Sequence, residues 1–339
     1  MRLRAGSEHG LLYNQIQRLW YMGPMFRYEK PQKGRYRQFY QLAIEAFGLE
    51  GPDVEVEQIL LMARFLKKLG VYQALSLQIN SLGSKESREH YRTELVKYFE
   101  KYVKDLDEDS QRRLKTNPLR ILDSKNPALA DIIREAPKSI DTLSPEDKQH
   151  FERFQALLRA TEIPYVVNPC LVRGLDYYNR TVYEWVTDQL GAQGTVCAGG
   201  RYDSLIEQLS GKPGLAVGFA AGIDRLILLQ QTLDLKPENS IDIFCICLGE
   251  EAENKGFVLA ETLRDQFPKL KMLVNCGGGQ LKNQFKRADK SQAKMAFIIA
   301  ENELKTDSIA VKFLREEREQ LTLSFNRVDQ FLQSYTFRE

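Results

Sequence analysis

The runs QRLWYMGPMFRYE (17–29) and RQFYQLAIEAFG (37–48) are separated only by KPQKGRY, and this spacing constrains the fold more than any other feature of the chain. A parallel return would need a crossover of about a dozen residues, so two strands this close pair as an antiparallel hairpin with a long tip. Strand side chains alternate between faces. In the second run Tyr40, Leu42, Ile44 and Ala46 make an apolar core face, while Phe39, Gln41, Ala43 and Glu45 share the other. Arg27 and Glu29 share a face of the first run by the same rule. If these polar faces meet, one floor gathers Arg27, Glu29, Phe39, Gln41 and Glu45. A few convergent polar groups beside an aromatic suit a small polar ligand, and an arginine on a rigid strand can grip a phosphate or carboxylate. A half-solvated antiparallel sheet with a merely polar outer face is the plainer alternative.

The rest of the chain changes rhythm twice. An amphipathic helix is expected at about 53–69, and residues 84–160 are charged and helical in period, with Ser144 before Pro145-Glu146-Asp147 as an N-cap and acidic first turn. Strands return over 171–220 and a helix starts at GIDRL. LKPENS at 235–240 has linker composition. Beyond it IDIFCICL, a helix at 250–267, KMLVN, a helix at 279–293 and MAFIIA alternate as an α/β unit with a mostly parallel sheet. The boundaries that follow are 1–83 with 161–234 as a core, 84–160 as a helical insertion, 235–240 as a linker and 241–339 as a second domain.

Three further stretches carry chemistry. In LVRGLDYYNRTVYEW (171–185), Arg173 lies among apolar residues, and a buried arginine is costly unless paired. An Arg173–Asp176 ion pair and an anion clamp beside Tyr177 and Tyr178 are both compatible with that spacing. In CAGGRYDSLIEQLSGKPGLAVGFAAGIDRL (197–226), glycines open a strand-to-helix corner near Arg225. Neither this stretch nor CGGGQLK matches a P-loop or dinucleotide fingerprint. Basic clusters occupy the hairpin tip (Lys30, Lys33, Arg35, Arg37) and a helical ridge (Lys282, Lys286, Lys290 and Lys294, with Arg287). Each is either a solvated face or a nucleic-acid backbone contact.

Composition narrows the partners. Lysine plus arginine total 48 against 46 acids, a net charge of +2, so a polyanion would be held by local clusters rather than by the overall field. Five scattered cysteines without a CxxC, and three histidines without HExxH, point to free thiols in a reducing cytoplasm and to no resident metal site. No secretory or membrane-spanning segment is evident.

Together and in this order, these stretches resemble bacterial histidyl-tRNA synthetases, a family of class II aminoacyl-tRNA synthetases. GPMFRYEKPQKGRYRQFYQLAIEAFG resembles motif two, LVRGLDYYNRTVYEW the histidine-specific signature, and AVGFAAGIDRL motif three. The resemblance implies an α+β class II core, an antiparallel sheet flanked by helices, with a helical insertion and a C-terminal α/β anticodon-binding domain. It implies two-step ligation of histidine to tRNA(His) with ATP and bridging Mg2+. Arg27, Arg173 and Arg225 become the catalytic arginines. Phe39 would stack on adenine, Glu29 read its amino group, Arg27 hold the α-phosphate, and Arg225 cover adenine's other face and meet the γ-phosphate. Gln41 and Glu45 would face histidine, Glu45 and Tyr178 bonding the imidazole, Tyr177 walling the pocket and Arg173 meeting the carboxylate. Lys30, Lys33 and Arg35 would contact the acceptor stem, and Lys282, Lys286, Arg287 and Lys290 tRNA phosphates.

Family members carry a segment ahead of the part matching RAGSEHGLLYNQ, which holds motif one, the builder of the homodimer interface, and a strand ending Arg-Pro-Glu-Gly-Thr. This sequence starts at Met1 just past it. The expectation is a front-truncated chain with one pocket wall missing, an unpaired sheet edge and weak or no activity. Two other functions compete: a non-catalytic regulatory paralogue, which would lack residues 241–335 and degrade the signature, and a tRNA-binding remnant without chemistry.

Overall fold

The computed structural model describes residues 2–12, 15–124, 126–173, 177–235 and 241–335, in two compact units, Met1–Lys236 and Pro237–Glu339. Most of the linker expected at 235–240 lies outside the described residues.

In the first unit, α1 (Arg2–Glu8) precedes the hairpin β1 (Gln17–Phe26) and β2 (Gln38–Phe47), followed by α2 (Asp53–Lys68) and β3 (Ser76–Ser81). Next come α3 (Lys85–Glu100), α4 (Glu108–Thr116), α5 (Ala130–Arg134) and α6 (Pro145–Ala160). The unit ends with β4 (Val166–Val167), β5 (Asn179–Val186), β6 (Thr195–Arg201), α7 (Asp203–Ser210), β7 (Ala216–Gly222) and α8 (Ile223–Thr232). The strands form one sheet in the order β1-β2-β7-β6-β5-β3-β4, antiparallel except for the short β3–β4 pair. The hairpin register pairs Gln41 with Gly23 and Glu45 with Leu19, and β1 is a sheet edge.

Strand alternation sends one face into a core. Tyr183, Trp185, Phe219 and Ala221 pack there against Ile59 and Met62 of α2, Phe154 and Leu158 of α6, and Leu226 and Leu229 of α8. The starts of α3 and α6 are stapled by short polar side chains. Ser144 accepts from the Asp147 amide at 3.2 Å, and the buried Asp147 carboxylate in turn accepts from the Ser84 amide and the Ser87 hydroxyl, both at 2.8 Å. That single acid ties the start of α3 to the start of α6.

Two expectations change here. The helical segment 84–160 is not self-contained: α6 lies in the core of the sheet, and Tyr91, Leu95 and Phe99 of α3 share a second cluster with Tyr178, Val182 and Tyr202. The face assigned to the core in β2 is only partly so. Ile44 and Ala46 are packed, but Tyr40 is 46% exposed.

The second unit comprises β8 (Ile243–Cys247), α9 (Glu250–Gln266), β9 (Met272–Val274), α10 (Leu281–Lys290), β10 (Met295–Ile299), α11 (Glu301–Lys305), β11 (Ser308–Phe313), β12 (Leu321–Ser324) and α12 (Val328–Ser334). Its sheet runs β12-β11-β10-β8-β9 and is mixed rather than mostly parallel: β8 pairs in parallel with β9 and β10, while β10–β11 and β11–β12 are antiparallel. Gly256 lets α9 press onto β8, since a Cβ there would lie 2.5 Å from Cys247 Sγ. Helix α10 is shorter than its periodicity implied. Lys294 falls past its end and pairs with Asp242 at 3.0 Å, so the basic ridge stops at Lys290.

Candidate active site

The sheet face opposite the core carries a cavity of about 670 Å3. Its floor exists because the central strands place only small residues there. In register, Glu45 lies beside Gly218 and then Gly200, and Ala43 beside Ala220, Ala198 and then Glu184. The glycines and alanines of β7 and β6 leave a hollow between the longer groups of β2 and β5. Gly218 leaves no room for a side chain: a Cβ there would stand 2.9 Å from Ile44 O, 3.0 Å from Glu45 Cγ and 3.0 Å from Tyr202 Oη.

One end of the cavity is acidic and aromatic. Tyr202 donates to Glu45 Oε1 at 3.1 Å. The rings of Tyr177 and Tyr178 lie 4.6 Å apart, each also meeting Tyr202 edge-on. Burial, then the neighbouring Tyr178, pushes the Tyr177 phenol up, so the Tyr177 hydroxyl remains a donor at neutral pH. Gln41 lies on the same β2 face as Glu45. Arg173 pairs with Glu184, and its guanidinium carbon lies 5.5 Å from the Tyr178 ring. Burial alone would lower the Arg173 pKa, but the Tyr178 and Glu184 groups outweigh it and hold the arginine charged. The alternative partner Asp176 lies outside the described residues.

The other end is cationic. Arg225, in the first turn of α8, donates to three neutral acceptors: Gly34 O at 2.9 Å, Thr195 O at 2.5 Å and Gln193 Oε1 at 2.7 Å. Arg27 donates to Tyr36 O at 2.9 Å and stacks 4.3 Å over the Phe39 ring. Among the described residues neither has a carboxylate within ion-pair distance. Burial, followed by the charges of Arg27 and Arg35, pulls the Arg225 pKa down. Such a cluster of like charges on fixed backbone supports is stabilised by a polyanion.

The residues singled out from the sequence therefore separate. Arg27, Phe39, Gln41, Glu45, Arg173, Tyr177, Tyr178 and Arg225 all line the cavity. Glu29 does not: strand β1 ends at Phe26, and Glu29 sits in the tip, paired with Arg35, whose hydrogen bond holds its carboxyl below the usual range. Arg35 lines the cavity rather than the tip's outer surface, whereas Lys30 and Lys33 are exposed. In the second unit Lys282, Lys286 and Lys290 are exposed on α10, as is Arg287, but the Arg287 guanidinium is engaged by the neighbouring loop, donating to Asn275 Oδ1, Cys276 O and Gly278 O. Among the described residues no three acidic, histidine or cysteine side chains cluster as a metal site, and no helix is long and apolar enough to cross a membrane. Glu184, Thr195, Tyr202 and Asp123, all cavity residues, were not singled out from the sequence. Glu184 was within reach, since it stands between Tyr183 and Trp185, two large residues that strand alternation sends to the opposite face.

Comparison with known proteins agrees with this arrangement. A histidyl-tRNA synthetase family model matches residues 4–226, and an anticodon binding domain model matches residues 242–335. The apo histidyl-tRNA synthetase of S. aureus is 34% identical, with a TM-score of 0.69 over 97% of this chain and 80% of that one. The histidyl-tRNA synthetase of Nostoc sp. PCC 7120 is 17% identical, with a TM-score of 0.68 over 98% of this chain and 80% of that one. An ATP phosphoribosyltransferase regulatory subunit/histidyl-tRNA synthetase of Bacillus halodurans is 19% identical, with a TM-score of 0.50 over 88% of this chain and 77% of that one. The last two speak to the fold alone. With both of its units matched, and a third of its residues shared with the S. aureus enzyme along nearly its whole length, this chain belongs to the histidyl-tRNA synthetase family.

Proposed function

We propose that the chain, whose function is that of a histidine–tRNA ligase, activates histidine with ATP inside this one cavity. The observation that carries the reading is the cavity's polarity: a carboxylate among phenols at one end, and guanidiniums without carboxylate partners at the other. Glu45, held by Tyr202, and the Tyr178 hydroxyl would bond the two imidazole nitrogens, with Gln41 and Tyr177 closing around the amino acid. An aliphatic analogue would leave these buried groups unpaired, which is a strong ground for rejection. Arg173 would meet the substrate carboxylate. Arg27 and Arg225 would take the phosphates, with adenine at Phe39.

Attack of the carboxylate oxygen on the α-phosphorus forms an acyl phosphate bond and releases pyrophosphate. Negative charge spreads over the phosphate oxygens as it does so, and guanidiniums already fixed by backbone carbonyls stabilise it without reorganising. Mg2+ fits as a companion of the nucleotide rather than of the protein. The four cavity carboxylates are dispersed, and a hard ion of this kind is commonly carried on phosphates. When bound it would neutralise phosphate charge.

For tRNA(His), Lys30 and Lys33 at the hairpin tip and Lys282, Lys286 and Lys290 on α10 are the candidate phosphate contacts. Homodimerisation has support in the outward stripe of the edge strand β1, where Trp20, Met22 and Phe26 are 67%, 63% and 74% exposed. A cytoplasmic setting suits tRNA charging and the free thiols of buried Cys197, Cys245 and Cys247.

The test is pyrophosphate exchange by the purified chain. Exchange should require histidine and should disappear in Arg173→Leu. No exchange with histidine, or equal exchange with another amino acid, would overturn the proposal.

A further inference from the structure

Arg173 and Arg225 serve opposite ends of the cavity, yet a continuous run of hydrogen bonds joins them. Arg225 Nη1 donates to Thr195 O at 2.5 Å, Thr195 Oγ1 donates to Glu184 Oε2 at 2.9 Å, and Glu184 Oε1 accepts from Arg173 Nη1. Glu184 and Thr195 stand on the adjacent strands β5 and β6, so the backbone holds the middle of this run rigidly. The Glu184 side chain is 14% exposed and that of Arg173 is 23% exposed, so water competes little for either.

We propose that Glu184 and Thr195 are positioning residues that couple the amino-acid end of the cavity to the nucleotide end. This rests on the function proposed above. In the empty cavity Glu184 neutralises Arg173. An arriving substrate carboxylate competes for that guanidinium and places a second anion near Glu184. The carboxylate of Glu184 then depends more on the Thr195 hydroxyl at its other oxygen. The same residue, through its carbonyl, holds Arg225 toward the hairpin tip, where Arg225 also bonds Gly34 O. Phosphates that settle Arg225 therefore settle Thr195 and Glu184, and the arginine that must receive the carboxylate is set in advance. Coupling of this kind is reciprocal: histidine must tighten nucleotide binding by the factor with which nucleotide tightens histidine binding.

The chain can be tested by calorimetry with α,β-methylene-ATP, in the absence and presence of saturating histidine, and again with histidinol, which lacks the carboxylate. In the wild type histidine should tighten the nucleotide by about tenfold, a size typical of coupling between sites, and histidinol should tighten it much less. Glu184→Gln and Thr195→Val should each bring the histidine effect close to onefold while single-ligand affinities change less, and Thr195→Ser should retain it. A merely structural role would weaken the single affinities and leave the ratio intact, and that result overturns the inference alone. So does a wild type that binds both ligands independently. A wild type that binds neither ligand overturns the proposed function and this inference with it.

Discussion

Gly218→Ala tests the idea that the missing side chains of the floor create the histidine end of the cavity. Gly218 is not held in the left-handed region, so an alanine meets no backbone strain and acts through space alone. Its methyl would lie 2.9 Å from a backbone oxygen of β2, which cannot easily retreat, and 3.0 Å from both Glu45 Cγ and Tyr202 Oη. Ordinary carbon contacts begin near 3.5 Å, so Glu45 and Tyr202 must move by about half an ångström. The bond between them, 3.1 Å long, has little slack. A hydrogen bond to a charged group contributes about 1.5–3 kcal/mol, so its loss should weaken histidine binding by roughly 10- to 150-fold. Calorimetry with histidine reads this directly, and adenosine provides the control, because the nucleotide end is elsewhere on the sheet. A folded variant that binds histidine as the wild type does would refute the reasoning, as would an equal loss for adenosine.

Further predictions follow from the same contacts. Arg225→Gln should weaken ATP by roughly 10- to 150-fold through lost charge-assisted bonds and weaken adenosine much less, as titration of each ligand would show; an equal loss for both contradicts the phosphate role. His150, buried 3.4 Å from Glu55 Oε1, has its pKa lowered from 6.5 to about 4 by burial and then by Arg180 and Arg201. The unfolded chain thus binds a proton that the folded chain refuses, and stability should fall as the pH drops from about 6.5 to about 4, by up to about 3 kcal/mol. Urea midpoints across that range should lose this slope in His150→Gln, and an unchanged slope would assign it to other groups. Arg201, fully buried, bonds both oxygens of Glu55 and the carbonyls of Leu49 and Gly51. Arg201→Met should cost about 3–5 kcal/mol and lower the melting temperature of the first unit by on the order of 10 °C, whereas a loss under about 1 kcal/mol would contradict the account.

What the sequence disclosed was local and periodic. Alternation along 37–48 put Phe39, Gln41 and Glu45 on one face, and that face lines the cavity. Ser144 before Pro145 marked a helix start, and its hydroxyl does accept from the Asp147 amide. What stayed hidden depends on register and on which core a stripe joins. Nothing in FERFQALL says that Phe154 packs under the sheet with Met62 rather than within an insertion. Tyr202 reaches Glu45 only because β6 and β7 set a register across 157 positions of chain. Arg287 stands beside the four-residue series of lysines, but loop carbonyls capture it, a contact that charge patterning cannot express. Residue types that build an empty floor, glycine and alanine, also carry little signal in a single sequence.

The central claim is that one hollow receives an amino acid and a nucleotide side by side, close enough to be joined. A non-hydrolysable histidyl-adenylate mimic, with a sulfamoyl group in place of the phosphate, measures this most directly in a competition titration. The account predicts one site per chain, tighter than either half alone, from which both histidine and ATP displace the mimic. Displacement by only one of the two, or two independent sites, would contradict it.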